Sequence, residues 1–169
     1  MIGAIMERTD SHFTKDDLRS LFNYKDGQLY WKQTKGRRIA NTIAGTRSHH
    51  YWQICIDYVI YRTHRLVWIY HHGYSPDVID HINGDTFDNR IENLRECSKS
   101  QNQHNRKIDS KNLSGVKGVG WCKRKNKWRA RIIVDGKEHH IGFFDDLQDA
   151  KKVMNSKRTE LHGIFARSN

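Results

Sequence analysis

The chemistry of this chain is concentrated between residues 78 and 105, in the stretch VIDHINGDTFDNRIENLRECSKSQNQHN. Few of these residues suit a hydrophobic core, and many can bind a cation or move a proton. Asp80 and His81 stand side by side. A carboxylate oxygen is a hard ligand of the kind magnesium takes. An imidazole, whose unperturbed pKa lies near neutrality, can take a proton from water. Asn93 follows, then Asn102 and His104, which add amide oxygens and a second imidazole. Polar groups converging from both ends of so short a stretch describe a small metal site with a base beside it.

The local elements that position these groups can be read directly. Val78 and Ile79 are β-branched and predict a short strand that delivers Asp80 and His81. Asn83-Gly84-Asp85 is a turn, because asparagine and glycine tolerate positive φ. Ser98 predicts the cap of a helix carrying Asn102 and His104. Two residues apart on a helix is about 200° of rotation, so those two side chains cannot face one ion. Asn105 and Arg106 lie three and four residues beyond Asn102 and share its face. Neighbours on a strand point to opposite faces, so Asp80 and His81 line one cleft only if the turn twists.

Upstream, Thr14 predicts a helix cap with Asp16 and Asp17 in the first turn. Leu18, Leu21 and Phe22 share a helical face, and Tyr24-Lys25-Asp26-Gly27 is the turn that ends the helix. Residues 28–32 read as a strand, 35–38 as a basic loop, and 51–61 as two strands turning near Asp57. Residues 64–72 read as a helix with Leu66, Ile69 and Tyr70 near one face, ended by Gly73 and Pro76. Its histidines have no cysteine partners and match no usual zinc spacing, so they read as surface or hydrogen-bonded groups.

The 169-residue chain carries a formal charge of +11 and is 36% hydrophobic. A modest core with a strong positive balance points to a polyanionic partner, nucleic acid first and an anionic membrane surface second. No apolar run approaches the roughly 20 residues of a membrane span. No leader is visible at the N-terminus, and three widely spaced cysteines fit a reducing, intracellular setting. The charge is uneven: residues 1–102 hold 14 basic and 12 acidic side chains, and residues 103–169 hold 16 and 7. The asymmetry divides the chain into a module over 1–106 and another over 114–169, with a polar linker over 107–113.

In the second module Trp128, Ala130, Ile132 and Val134 alternate with Lys127, Arg129 and Arg131, giving a strand with one apolar and one basic face. Asp135-Gly136 is a hairpin turn and 137–144 a further strand. Asp145 and Gln148 form the capping box of a helix. That helix is buried through Leu147, Ala150, Met154 and Leu161 and ends at Gly163. Between residues 115 and 137 there are eight basic residues and one acid. The one-sided alternation therefore reads as a DNA-binding face, with Lys123, Arg124, Lys127 and Arg129 as its candidates by charge alone. Trp121 reads as a packing residue rather than a stacking platform.

Two resemblances extend this reading. His64-Arg65-Leu66-Val67, Asp80-His81-Ile82-Asn83-Gly84-Asp85 and Asn89 to Arg95 (NRIENLR) together resemble the HNH nuclease motif of phage and intron homing endonucleases, over about residues 60–106. The resemblance implies an α+β protein with a ββα-metal nuclease core that hydrolyses phosphodiester bonds of double-stranded DNA. It implies His81 as the general base, Asn93 as a group that orients the base or pins the loop, the first being the reading taken, and Asp80 and Asn102 as ligands of a single Mg²⁺ or Mn²⁺ ion. His104 is the competitor of Asn102. It further implies a monomer from a phage or mobile element, acting in the cytoplasm of a bacterial host. Glu96 and Cys97 depart from the motif, which has an apolar residue after Asn-Leu-Arg. Downstream, Ser114-Gly115-Val116-Lys117-Gly118-Val119, Lys127-Trp128-Arg129-Ala130, Ile141-Gly142-Phe143-Phe144 and Leu161-His162-Gly163-Ile164-Phe165-Ala166 resemble the plant ethylene-response-factor (AP-two type) DNA-binding domain. That domain is a three-stranded antiparallel sheet plus a helix, with the sheet in the major groove. Its contact positions fall here on Lys117, Cys122, Arg131, Ile133, Glu138 and His140. Several of these differ from the arginines and tryptophan of that family, so its base preference does not carry over. The expectation is a site-specific DNA endonuclease; a non-catalytic sequence-specific DNA-binding regulator is the alternative. An RNA-binding protein has less support, for want of an aromatic stacking platform.

Overall fold

The computed structural model describes residues 10–105, 108, 112–134 and 136–162. Arg106, most of the linker, Asp135 of the expected hairpin turn, Gly163 and residues 164–166 lie outside the described residues, as do the side chains of His104, Asn105 and His162. The chain divides into two compact units between Glu96 and Cys97, ahead of the expected border at 106. Each unit mixes helices with antiparallel strands, an α+β composition. Among the described residues no helix is long and apolar enough to cross a membrane.

The first unit opens with α1 (Lys15–Leu21), which begins where its cap dictates. The Asp17 N–H donates to the Thr14 hydroxyl, and the Thr14 N–H donates to the Asp17 carboxylate at 2.8 Å. Phe22 is not part of this helix, contrary to the helical-face expectation. It opens β1 (Phe22–Lys25), which pairs with β2 (Gln28–Trp31). Asp26 and Gly27 both take positive φ, 48° and 82°. Asp-Gly is therefore a two-residue hairpin turn rather than a helix stop, and its backbone matches the twist of the flanking strands. A second sheet holds β3 (Thr46–Arg47), β4 (Trp52–Ile56) and β5 (Val59–Arg62), turning at Asp57 and Tyr58. β3 carried no signal, since it is two exposed polar residues.

α2 (Thr63–His72) follows β5 without a loop and ends on Gly73, which adopts φ 83°. Leu66, Val67 and Ile69 are buried with Leu18, Phe22, Leu29 and Ile54 in one apolar cluster. Burial on this scale drives the docking of α2 against both sheets. Arg65 is the polar exception on α2. Its guanidinium binds the Asp10 carboxylate, the Ser75 hydroxyl and, at 2.8 Å, the Pro76 carbonyl. It thereby ties down the segment that feeds β6 (Ile79–His81), whose partner is β7 (Leu94–Glu96).

In the second unit, α3 (Lys99–Asn105) has the predicted serine cap. The Gln101 N–H donates to Ser98 Oγ at 3.1 Å and the Ser98 N–H donates to Gln101 Oε1 at 2.8 Å. β8 (Val119–Cys122), β9 (Lys127–Val134) and β10 (Lys137–Phe144) form an antiparallel sheet with β9 in the middle. α4 (Leu147–His162) packs on it through Ala150 and Met154, against Val116, Val119, Ala130 and Ile132. Two expectations are corrected here. Asp146, not Asp145, caps α4: its Oδ1 accepts from the Gln148 and Asp149 N–H groups, while Asp145 pairs with Lys127 at 3.0 Å. Leu161 is 42% exposed. The apolar stripe stops at Met154, and the next turn buries Arg158, whose guanidinium reaches the Lys117 carbonyl. A long amphipathic stem of this kind closes a core while its head finds an acceptor.

Candidate active site and nucleic-acid face

β6 and β7 place Asp80 opposite Arg95 and His81 opposite Leu94. Asp80 and His81 are consecutive residues of β6, and the Asp80 carboxylate is near enough to bear on the charge of the His81 ring. Both are buried, each with 5% of its surface exposed. Asp80 Oδ2 accepts from Arg95 Nε at 2.8 Å and is 2.7 Å from Arg95 Nη2. His81 Nε2 lies 3.2 Å from Asn89 Oδ1. An Nε2–H donating to that amide oxygen makes Nδ1 the basic nitrogen of the neutral ring. Burial pulls the His81 pKa below its usual value. The Asn89 bond and the carboxylates of Asp80, Asp85 and Asp88 pull the other way. A ring that stays neutral at neutral pH is in the state a general base requires.

The loop between the strands is a closed polar network. The Asn83 N–H donates to Asn93 Oδ1 at 3.0 Å, and Asn93 Nδ2 donates to Asn83 Oδ1 at 3.1 Å and to the Asp88 carbonyl at 2.8 Å. The Ile82 N–H donates to the Asn93 carbonyl. Of the two roles the resemblance implies for Asn93, these contacts are those of a loop pin. Asp88 takes both Arg90 Nε and Nη2, and this pairing holds its carboxyl down at about 2.

Groups from elsewhere in the first unit enclose His81. His64 packs edge-on against His81, with ring centres 5.1 Å apart, and Tyr51 lies 5.2 Å from His64 and 6.5 Å from His81. His64 is neither on the surface nor hydrogen-bonded as expected: among the described residues its buried Nδ1 has no partner. Burial, with help from His81, Arg62 and Arg65, pushes its pKa well below the usual histidine range. The guanidinium of Arg62 covers Tyr51, and that of Arg47 covers Phe87 at 3.8 Å. The Thr86 hydroxyl donates to the His50 carbonyl. From the other side, the Tyr24 hydroxyl accepts from the Ile91 N–H at 3.1 Å, and the tip of the β1–β2 hairpin rests on the backbone at 89–90. Sequence reasoning missed Asn89, His64, Tyr51 and Arg95 as members of this cluster. The signals were present for three of them, since His64, Asn89 and Arg95 sit inside the stretches that carry the resemblance.

Asn102 is exposed on α3, in the second unit. The candidates for nucleic-acid contact lie on the sheet of that unit. The register pairs Arg129 with Gly120 and Phe143, Arg131 with His140, and Lys127 with Cys122. All of these side chains therefore share the face opposite Val119, Ala130 and Ile132. Arg131 is paired with Glu138 at 2.5 Å, and His140 packs on Phe143 at 4.7 Å between ring centres. Lys123 and Arg124 are exposed in the β8–β9 turn, and Lys117 is half-buried ahead of β8. Trp121 instead shares the helix-side face with Trp128, their rings 5.1 Å apart.

A divalent metal is what the HNH resemblance implies. Among the described residues no three His, Cys, Asp or Glu side chains are grouped to hold an ion. Magnesium keeps several waters and takes one or two protein oxygens alongside phosphate oxygens. The buried Asp80 carboxylate is a donor of the right chemistry, held by Arg95.

A family model described as HNH endonuclease matches residues 61–104. Over 108 residues the chain is 36% identical to Protein 3.8 of Escherichia phage T7, an alignment covering 63% of this chain and 88% of that protein. Over 95 residues it is 31% identical to a protein of Acanthamoeba polyphaga mimivirus named as an uncharacterised HNH endonuclease, covering 56% of this chain and 48% of that one. No solved structure matches.

Proposed function

We propose that this chain, which belongs to the family of Protein 3.8 of Escherichia phage T7 and carries an HNH endonuclease domain over residues 61–104, is a site-specific, divalent-metal-dependent DNA endonuclease. The observation that carries the reading is the enclosed, neutral imidazole of His81, held by Asn89 and next in sequence to a buried carboxylate.

In this reading His81 takes a proton from water through Nδ1 while Asn89 holds the ring at Nε2. The water oxygen attacks phosphorus, and the bond to the 3′ oxygen breaks. The Asn93 network keeps the loop from moving as the ring gains charge. Asp80 supplies a carboxylate ligand to a single Mg²⁺ or Mn²⁺ ion; when bound, such an ion offsets charge on the phosphate and the leaving oxygen. Asn102 is the second ligand by its offset from Asn93, a reading that rests on sequence. Arg129 and Arg131, with Lys117, Lys123, Arg124, Lys127 and His140, contact double-stranded DNA as an AP-two-like module, and the protein acts as a monomer. The one-sided basic sheet supports DNA binding under the regulator reading as well, so the two readings part at His81.

The test is nicking of supercoiled DNA carrying the target, with Mg²⁺ or with chelator. Metal-dependent nicking should fall on the order of 10²–10⁴-fold in His81→Ala. No metal-dependent nicking, or equal nicking by the variant, leaves the regulator.

A further inference from the structure

Asp80 and Arg95 face each other across β6 and β7 with almost no solvent around them. Two guanidinium nitrogens converge on one carboxylate oxygen. A carboxylate this deep needs a counter-charge, because an unpaired buried charge is strongly unfavourable. Arg95 supplies it. The same carboxylate is the proposed metal ligand, so two cations have a claim on one group. Like charges held close together in a poorly hydrated site repel strongly.

We propose that Arg95 is a resident counter-ion of Asp80 which a divalent cation must displace, so that the DNA-free protein binds metal weakly. The inference rests on the reading of Asp80 as a ligand. It predicts a pair of opposed effects that a merely structural arginine would not produce. Removing the Arg95 charge destabilises the metal-free protein, because the buried Asp80 carboxylate loses the two guanidinium nitrogens that hold it. The same change tightens metal binding, because the competitor is gone.

The experiment titrates Mn²⁺ alone, without DNA, into wild type, Arg95→Met, Arg95→Lys and Asp80→Asn, following free Mn²⁺ by electron paramagnetic resonance and thermal unfolding on the same samples. Arg95→Met should unfold at lower temperature than wild type without metal. It should bind Mn²⁺ on the order of tenfold tighter, the equivalent of one charge-assisted hydrogen bond removed from the competition. Arg95→Lys keeps the charge and should stay near wild type. Mn²⁺ binding by Arg95→Met that is unchanged, weaker or absent overturns the proposal. If Asp80→Asn binds Mn²⁺ as well as wild type, the ligand reading itself fails. If Asp80→Asn loses binding but Arg95→Met gains none, only the displacement fails. Should Arg95→Met not fold, wild type carries the test through the ¹⁵N resonance of the Arg95 Nε–H, assigned by its loss in Arg95→Lys. Mg²⁺ should shift this signal and speed its exchange with water, and a signal unmoved at concentrations that bind overturns displacement.

Discussion

Gly27 tests how His81, the proposed base, is positioned from a distance. It sits at the tip of the β1–β2 hairpin with φ 82°, and a Cβ built there would lie 2.7 Å from the Arg90 backbone nitrogen and 2.9 Å from the Asn89 carbonyl carbon. Gly36 has φ 60°, and a Cβ there would meet nothing within 4 Å. Both alanine substitutions place a side chain in left-handed backbone, costing roughly 1–2 kcal/mol, partly offset by about 0.4–1 kcal/mol from a less flexible unfolded chain. Gly36→Ala should therefore lose about 1 kcal/mol. Gly27→Ala adds an overlap with backbone, which cannot rotate away as a side chain could. Overpacking of that kind costs about 1–3 kcal/mol, so the total loss should be about 2–4 kcal/mol. The overlap is relieved by moving the hairpin tip or the 89–90 backbone, and Asn89 holds His81 at 3.2 Å. A displacement near 1 Å at a catalytic group can cost about 10²-fold in rate. Urea unfolding followed by tryptophan fluorescence gives the stability difference, and nicking of supercoiled DNA gives the rate. Gly27→Ala should lose both, and Gly36→Ala should cut at the wild-type rate. Equal stabilities for the two variants would refute the overlap. Wild-type cutting by a destabilised Gly27→Ala would refute the link from hairpin to base.

Two further predictions concern charge. The pKa of His64 is depressed from 6.5 in the folded state by burial. Below about pH 6.5 the unfolded chain then binds a proton that the folded chain does not, so stability should fall with decreasing pH, at up to about 1.4 kcal/mol per pH unit for one proton, and be flat above that window. His64→Gln should flatten this slope by up to one proton, with His81 and His71, both also depressed, supplying what remains; a slope identical to wild type in urea unfolding at several pH values would show that His64 is protonated in the fold. On the sheet, Arg129→Gln and Arg131→Gln should each weaken DNA binding measured by fluorescence anisotropy and flatten the log–log salt slope by about 0.9 if the arginine meets a phosphate. Unchanged affinity in both would move the DNA face elsewhere.

The parts of the fold that were legible in the sequence are those specified locally. Thr14 caps α1, Gly73 ends α2 and Ser98 caps α3, because each cap is a bond within one helical turn. The alternation of β9 was legible because a strand's period is 2 whatever it packs on. The misses involve contacts between distant parts of the chain or near-degenerate local choices. Phe22 fits the apolar face of a helix as well as the first position of a hairpin, and only the buried space between Leu18 and Trp31 decides it. Asp145 and Asp146 are both competent caps, and the salt bridge of Asp145 to Lys127 across the sheet selects the second. At the site, the types and spacing of Asp80, His81 and Asn93 could be read, but which asparagine meets the imidazole could not. Asn89 and Asn93 are one helical turn apart in number, and the short turn at 91–93 that aims them is itself held by Tyr24.

The buried polar groups around His81 also bear on the choice between enzyme and regulator. Asn89 is 1% exposed, and its Nδ2 has no partner among the described residues; the same holds for the buried Nδ1 of His64. Each such group costs roughly 1–3 kcal/mol relative to an apolar side chain of similar shape. A protein that only bound DNA through its basic sheet would gain stability from a leucine at 89 and a phenylalanine at 64, since both positions are buried in the first unit and the basic sheet belongs to the second. The histidine and the asparagine make sense if the ring they enclose must stay neutral, keep one orientation and then accept a proton without the loop rearranging. In the enzyme reading that requirement is the one general-base catalysis makes, and the unpartnered Asn89 Nδ2 and His64 Nδ1 are what it costs.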